Sequence, residues 1–274
     1  DAIQGDLYPG DAVAGLQALS GPMVVPLGLS SIGWHLRGLL GAPVTSGSGD
    51  FTHTFQTAPE PPIPLVTHGI SHTRIGKHFV QDSLAYSGME IRAVKNGERA
   101  RATFNMTGRS EARVGATLDT APVLYNPDVV PVGFSGQAKV NGSAAAMITT
   151  ANLSLNSGVE ADQETLNGAS TAAGMDTGMW QLSGSFDARF QDETWYDRGV
   201  NGTSIDLTLA WALSATLSLE ITAHDVRVER SGIPIDGRGI ISSSFNFRAN
   251  RPQPGQTLLT AVLKNAVASY GNPS

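Results

Sequence analysis

The sequence predicts a mainly β protein: two sheets forming a barrel or sandwich, one flanking α-helix, and long loops. Three observations predict it. Alternating apolar and polar runs recur at roughly 8–12-residue spacing, with turn residues between them. Charged residues are only 15% of the 274, Gly numbers 31 and Cys 0. That balance disfavours a helical bundle and a highly charged disordered chain. A single segment, Leu29–Gly41, spaces its apolar residues at a helical period.

The elements follow in order. Asp1–Gly21 is rich in Gly and Asp and weakly periodic; it suits an extended or partner-covered arm (1–21) ahead of a β domain (22–274). Pro22–Gly28 is a short strand that its prolines push towards an edge. In Leu29–Gly41, Ser30 or Ser31 can cap the start and Gly41 the end. Ile32, Leu36, Leu39 and Leu40 share its buried face, with Trp34 beside them. Phe51–Gln56 alternates as a strand, and Leu65–Ile70 is another, followed by a polar turn at Ser71–Gly76. From Leu84 the period is two. Met89, Ile91 and Ala93 face inward, and Asn96-Gly97 gives a primed hairpin turn. On the return strand Arg99–Gly108, Ala100, Ala102, Phe104 and Met106 face inward.

The second half repeats this style. Gly133–Val140 and Met147–Asn156 form a hairpin through Asn141-Gly142. Ser157–Gly178 is a long Gly-rich loop or arm. Trp180, Leu182, Gly184, Phe186, Ala188 and Phe190 share one strand face, and Asp192–Gly199 is a single helical turn. Ile205, Leu207, Leu209 and Trp211 share the next face. In Leu217–Arg230 the inward set changes from Leu217, Leu219 and Ile221 to Val226 and Val228. That shift requires a bulge or a switch of sheet. Gly239–Asn250, with Ile241, Phe245 and Phe247 inward, and Leu258–Tyr270 complete the strands.

Chemical motifs are sparse. Without Cys there is no disulfide, Cys-ligated zinc or Cys nucleophile. No Gly-rich phosphate loop, nucleophile elbow or H-E-x-x-H occurs. No cofactor is expected. His68 and His72 have i, i+4 spacing, with His78 following, but Gly69 and Gly76 weaken a helix there; a polar loop is favoured over a metal site. His35 is read as a satisfied packing residue; His53 and His224 lie on strands without an obvious partner. Asp192, Glu193 and Asp197 around Trp195 and Tyr196 could form a glycosidase pair; a charged turn with tucked aromatics is the favoured reading. Asp1 to Ser20 shows no cationic start before an apolar run, and no apolar stretch nears the ~20 residues of a spanning helix. The expectation is an intracellular product, or one released by lysis.

The net charge of -6, with a pI of about 5.5, disfavours a protein that neutralises duplex phosphates. The charge is unevenly placed. Arg74 to Arg113 holds eight basic and four acidic residues, net +4; Glu160 to Asp206 holds nine acidic and two basic, net -7. Either these are solvated faces, or they are complementary surfaces for self-assembly.

The chain also carries, in order, S-I-G-W-H-L-R-G-L-L-G-A, F-T-H-T-F, Y-S-G-M-E-I-R-A-V, A-R-A-T-F-N-M-T-G-R-S-E, I-T-T-A-N-L-S-L-N-S-G-V-E, L-S-G-S-F-D-A-R-F, V-R-V-E-R-S-G-I-P-I-D-G-R-G-I-I, F-R-A-N and L-K-N-A-V-A-S-Y. Taken together these resemble the tail tube proteins of long-tailed bacteriophages. The segments 157–178 and Arg74–Gln81 depart from the pattern. The resemblance implies a structural, non-enzymatic virion protein assembled in the bacterial cytoplasm. Its hexameric rings would stack into a hollow tube that passes DNA without specific binding. Implied partners are other copies of itself, the tape measure, the tail terminator and the distal tail protein. The segments 71–83 and 157–178 become candidate interaction loops. Candidate contacts are Arg74, Lys77, Arg92, Arg99 and Arg101 on the basic side, and Glu160, Asp162, Glu164 and Asp176 on the acidic side. The alternatives are an extracellular β-sandwich adhesin or carbohydrate-binding module, and a glycan-active enzyme.

Overall fold

The computed structural model describes residues 15–125, 128–145, 147–230, 232, 242–249 and 256–271. Alternating sequence becomes antiparallel strand throughout. The strands are β1 (Leu19–Pro26), β2 (Val44–Ser48), β3 (Asp50–Gln56), β4 (Val66–His72), β5 (Lys77–Val94), β6 (Arg101–Gly108), β7 (Ser110–Val114), β8 (Gly136–Val140), β9 (Ser143–Ala144), β10 (Ile148–Asn156), β11 (Glu160–Asp162), β12 (Gly174–Asp176), β13 (Gln181–Arg189), β14 (Ser204–Ala212), β15 (Ser218–Val228), β16 (Ser242–Ala249) and β17 (Leu259–Asn265). The helices are α1 (Ile32–Leu40) and α2 (Thr194–Asn201).

One continuous sheet runs β1-β6-β5-β10-β13-β16-β15-β14-β8-β9, and a branch β15-β17-β3-β2 leaves it. The path ends at separate edges, so the architecture is a sandwich and not a closed barrel. Folding a sheet this long onto itself requires strands that change partners, and two do. In β15, residues 218–223 pair with β17 and residues 226–228 with β16. The change falls at a bulge where Ile205 opposes Val226 but Leu207 opposes Ala223, and Asp225 takes φ 49°. This is the switch that the inward set of 217–230 requires. In β5, residues 77–84 pair with β4 and β7, and residues 85–94 with β6 and β10. Ser83, with φ 51°, marks that bend.

The core lies between the layers. Phe104, Phe186, Leu207, Leu209, Trp211, Phe245 and Phe247 are buried, as their alternation predicts. Trp180 departs from that expectation: it is half-buried, and its indole N–H donates to the Ala58 carbonyl at 3.0 Å. Gly184 lies opposite Phe247, whose ring crosses it; a β-carbon there would sit 2.4 Å from the ring and 2.1 Å from the Asn152 carbonyl.

Helix α1 buries Ile32, Leu36, Leu39 and Leu40. Its two glycines let it lie close to aromatic rings: a β-carbon at Gly33 would meet Tyr270, and one at Gly38 would meet Tyr86. Interior Gly costs a helix about 1 kcal/mol against Ala, so this packing offsets a real penalty. Ser31 makes no side-chain cap; Asp128 instead accepts the Ser30 N–H at 3.0 Å, bringing a carboxylate to the helix start. Gly41 ends the helix at φ 87°, as expected. His35 stacks on Phe104 and sits 2.9 Å from the Tyr86 hydroxyl, a satisfied packing residue.

Four expectations need correction. The segment 71–83 is not a loop: it is the end of β4, a turn at 73–76 and the start of β5. Asn96-Gly97 is not a primed turn, because neither residue has positive φ. The connection 95–100 is instead held open by Pro131–Phe134, through Ala100 N–H to Pro131 O and Phe134 N–H to Asn96 O. Asn141-Gly142 does make a primed turn, with φ 50° and 79°, but its return strand is β9, and β10 pairs elsewhere. The single turn expected at Asp192–Gly199 is the eight-residue helix α2, so α1 is not alone in exceeding two turns. The inward Ile241 and the arm before residue 15 lie outside the described residues.

Two outcomes test this packing. Gly184→Ala should cost about 1–3 kcal/mol by overpacking, read as a lowered Tm, while Gly174→Ala, in open space, should not. Burial also lowers the His35 pKa from 6.5 to about 4. Between those values the unfolded chain binds the extra proton, so stability rises with pH. Denaturant titrations at pH 7 and pH 4 should show about 3 kcal/mol attributable to this group. His35→Phe, which keeps the stack on Phe104, should flatten that part of the slope.

Candidate assembly surfaces

The layer β1-β6-β5-β10-β13-β16 has two unlike faces because its strands alternate. One carries the core. The other presents Thr103, Asn105, Thr107, Asn152, Ser183 and Ser185, and among them charges of both signs: Glu90 and Asp187 with Arg92, Arg101, Arg189 and Arg248. The layer also has two unlike ends, fixed by register. At one end Pro26 pairs with Arg101 and Thr150 with Val94. At the other, Leu19 pairs with Gly108, and Asn156 with Gly88 and Gln181. At about 3.4 Å per residue the ends lie roughly 20 Å apart.

The first end carries Arg92, Arg99 and Arg101, all exposed, around a notch of about 200 Å³. Glu98, Asn96 and Gly133 complete its rim. Gly133 is required there, since a β-carbon would sit 2.0 Å from Asn96 Oδ1. None of the three arginines has an ion-pair partner among the described residues.

The second end carries Glu160, Asp162, Glu164 and Asp176 on the β11-β12 hairpin and its loop. Its root is tightly made. Ser157 is fully buried, its N–H donating to the Ser87 carbonyl at 2.9 Å, and Gly158 and Gly178 cross with no room for side chains. Val159 and Ala172 are buried beneath it. Glu160 stands directly across from Asp176, a like-charged pair that disfavours the ladder. The Thr165 hydroxyl, then the N–H groups of Thr165 and Glu164, bond to Asp162 and hold its carboxyl below the usual range. So the expected loop 157–178 is an ordered projection. Its far end frames a cavity of about 410 Å³ with Leu16, beside the wholly exposed Leu166.

Arg74 and Lys77 are exposed at the tip of the arm made by β4, β5 and β7. That arm leaves the layer at the same end as the acidic hairpin, because β5 enters it at Ala85. The fold therefore divides the basic block of the sequence into two sites. Exposed Ile75, between Arg74 and Gly76, gave no periodic signal.

The other chemical candidates resolve locally. His68, His72 and His78 lie on β4 and β5 and not on a helix, and no metal-holding cluster of three acidic or His side chains occurs among the described residues. His53, expected without a partner, is buried: its Nε2–H donates to the Val267 carbonyl at 2.8 Å and its Nδ1 accepts from Thr45 at 2.9 Å. Burial lowers its pKa. His224 also has partners, Asp206 at 3.2 Å and Thr260 at 3.0 Å. That acid–imidazole–hydroxyl line resembles a hydrolytic triad, but β17 is flanked by β15 and β3, whose ladders engage its amides and leave none to stabilise an oxyanion. Asp192 is exposed, and bonds to Thr194 hold its carboxyl low, the opposite of what a general acid requires. Trp195 packs on Phe186 and Phe245, with Arg198 over its ring. No sugar-stacking face is built from Trp211, Phe245 or Phe247, which are buried.

No curated protein matches the chain. A family model described as phage tail tube protein matches residues 1–249. Nine-tenths of the sequence is thus covered, in agreement with the mainly β sandwich, and the chain belongs to the phage tail tube protein family.

Proposed function

We propose that copies of this chain close into hexameric rings that stack as the hollow tail tube of a virion, through which phage DNA passes from capsid to host cell. The observation that carries this reading is the outer face of the layer β1-β6-β5-β10-β13-β16. It is broad and rich in Ser, Thr and Asn, and its charges are scattered and of both signs, Glu90 and Asp187 among Arg92, Arg101, Arg189 and Arg248. Such a face suits the wall of a DNA conduit, because arginines interspersed with carboxylates and neutral polar side chains hold phosphates less than an unbroken row of cations would. Ring closure would join the free edge of β1 to a neighbour and remove an exposed ladder. Stacking is a head-to-tail contact that does not close, and so gives a filament. The structural family points to a non-enzymatic role in the virion tail. Assembly in the host cytoplasm, and contacts with a tape measure, tail terminator and distal tail protein, belong to this reading as well.

Negative-stain microscopy of the purified chain tests it. Rings or tubes are expected; monodisperse particles of 28.7 kDa under all assembly conditions would count against it. Replacing Asp192, Glu193 and Asp197 together by Ala should leave tube yield within about twofold, since exposed surface changes shift stability by only ~0.5 kcal/mol. A hydrolytic activity lost with any one of them would defeat the structural reading.

A further inference from the structure

The two ends of the sheet layer complement each other, and this deepens the tube reading, on which it rests. We infer that the arginine notch of one copy, formed by Arg92, Arg99 and Arg101, receives the acidic β11-β12 hairpin of a second copy in the next ring. Three observations lead there. The notch and the hairpin sit at opposite ends of the same strands, so one rotation-free translation along the strands brings one towards the other. The notch arginines have no carboxylate partner among the described residues, although Glu98 sits on the rim. The hairpin sets Glu160 against Asp176 in a two-stranded sheet, a pairing that a cation between them would relieve. Arginine suits this role because its planar fork engages two carboxylate oxygens at once.

The contact is heterologous: each subunit presents both halves, and the chain of contacts never closes on itself. Polarity follows, since notch meets notch, or hairpin meets hairpin, only with like charges opposed. Arg74 and Lys77 take no part, because their arm departs from the hairpin end.

Charge exchange in the full chain tests this. Arg101→Glu alone and Asp176→Arg alone should each raise the protein concentration needed for tubes by at least about tenfold, while isolated rings persist. The double variant, Arg101→Glu with Asp176→Arg, should recover most of the loss. Thermal unfolding of each variant reports whether the subunit is intact; should a reversal unfold it, Arg101→Gln and Asp176→Asn replace the reversals, with a smaller rise expected. Tubes that form like wild type with either single change overturn the inference while leaving the tube reading intact. Wild-type protein that forms neither ring nor tube overturns both. If Arg101→Glu leaves tubes intact but abolishes retention of a short duplex DNA, the notch contacts phosphate and the inference is wrong.

Discussion

Everything in this fold depends on one edge of strand β15 serving two partners, while its other edge stays on β14. Its first half must pair with β17 and its last three residues with β16, which a straight ladder cannot do. The bulge at His224–Asp225 makes the change, and Asp206 holds it from the neighbouring strand. One carboxylate oxygen accepts the Asp225 N–H at 3.3 Å and the other faces His224 at 3.2 Å. Asp206 is placed in turn by the Asn141 turn, whose side chain accepts the Asp206 N–H at 2.8 Å. A left-handed conformation at a non-glycine residue is costly alone and persists where surroundings over-determine it. With the bulge in place, Val226 and Val228 enter the core and the two layers can face each other.

The second consequence is that the interior is closed by rings as much as by aliphatics. Tyr270 donates to the Ser30 carbonyl at 2.6 Å and accepts from the Asn265 amide at 2.7 Å, while Asn265 also donates to the Leu29 carbonyl. The end of the chain thereby fixes the start of α1, and the missing β-carbon of Gly33 leaves space for the tyrosine. Tyr86 performs the matching task at Gly38, and joins His35 and Phe104 in one aromatic group. The helix is thus positioned by shape, which explains why a segment with two interior glycines is helical at all.

The same layer that buries this core presents a polar face, with the arginine notch at one end and the acidic hairpin at the other. Those ends are separated by strand length and by nothing else. Core residues and candidate contact residues therefore alternate along the same strands: Ile91 and Ala102 are buried, while their neighbours Arg92 and Arg101 are exposed. Alternation in a strand makes this division automatic.

That division also marks what could be read in advance. Period-two placement was enough to fix the mainly β class, the inward faces of β5, β6, β13, β14 and β16, and the need for a break within 217–230. These are properties of neighbours in sequence, because a strand's two faces are set by its own alternation. The resemblance carried by ordered motifs pointed to the family that the chain belongs to. Contacts between distant residues were not legible. Nothing local distinguishes Asn96-Gly97, opened by Pro131–Phe134, from Asn141-Gly142, which turns as its composition suggests. His53 and His224 found partners 214 and 36 residues away, invisible from either strand alone. The basic block likewise reads as one patch along the chain. Only the bend at Ser83, which sends Arg74 and Lys77 away from Arg92, Arg99 and Arg101, divides it, because side-chain charge is a property of sequence but its neighbourhood is a property of register.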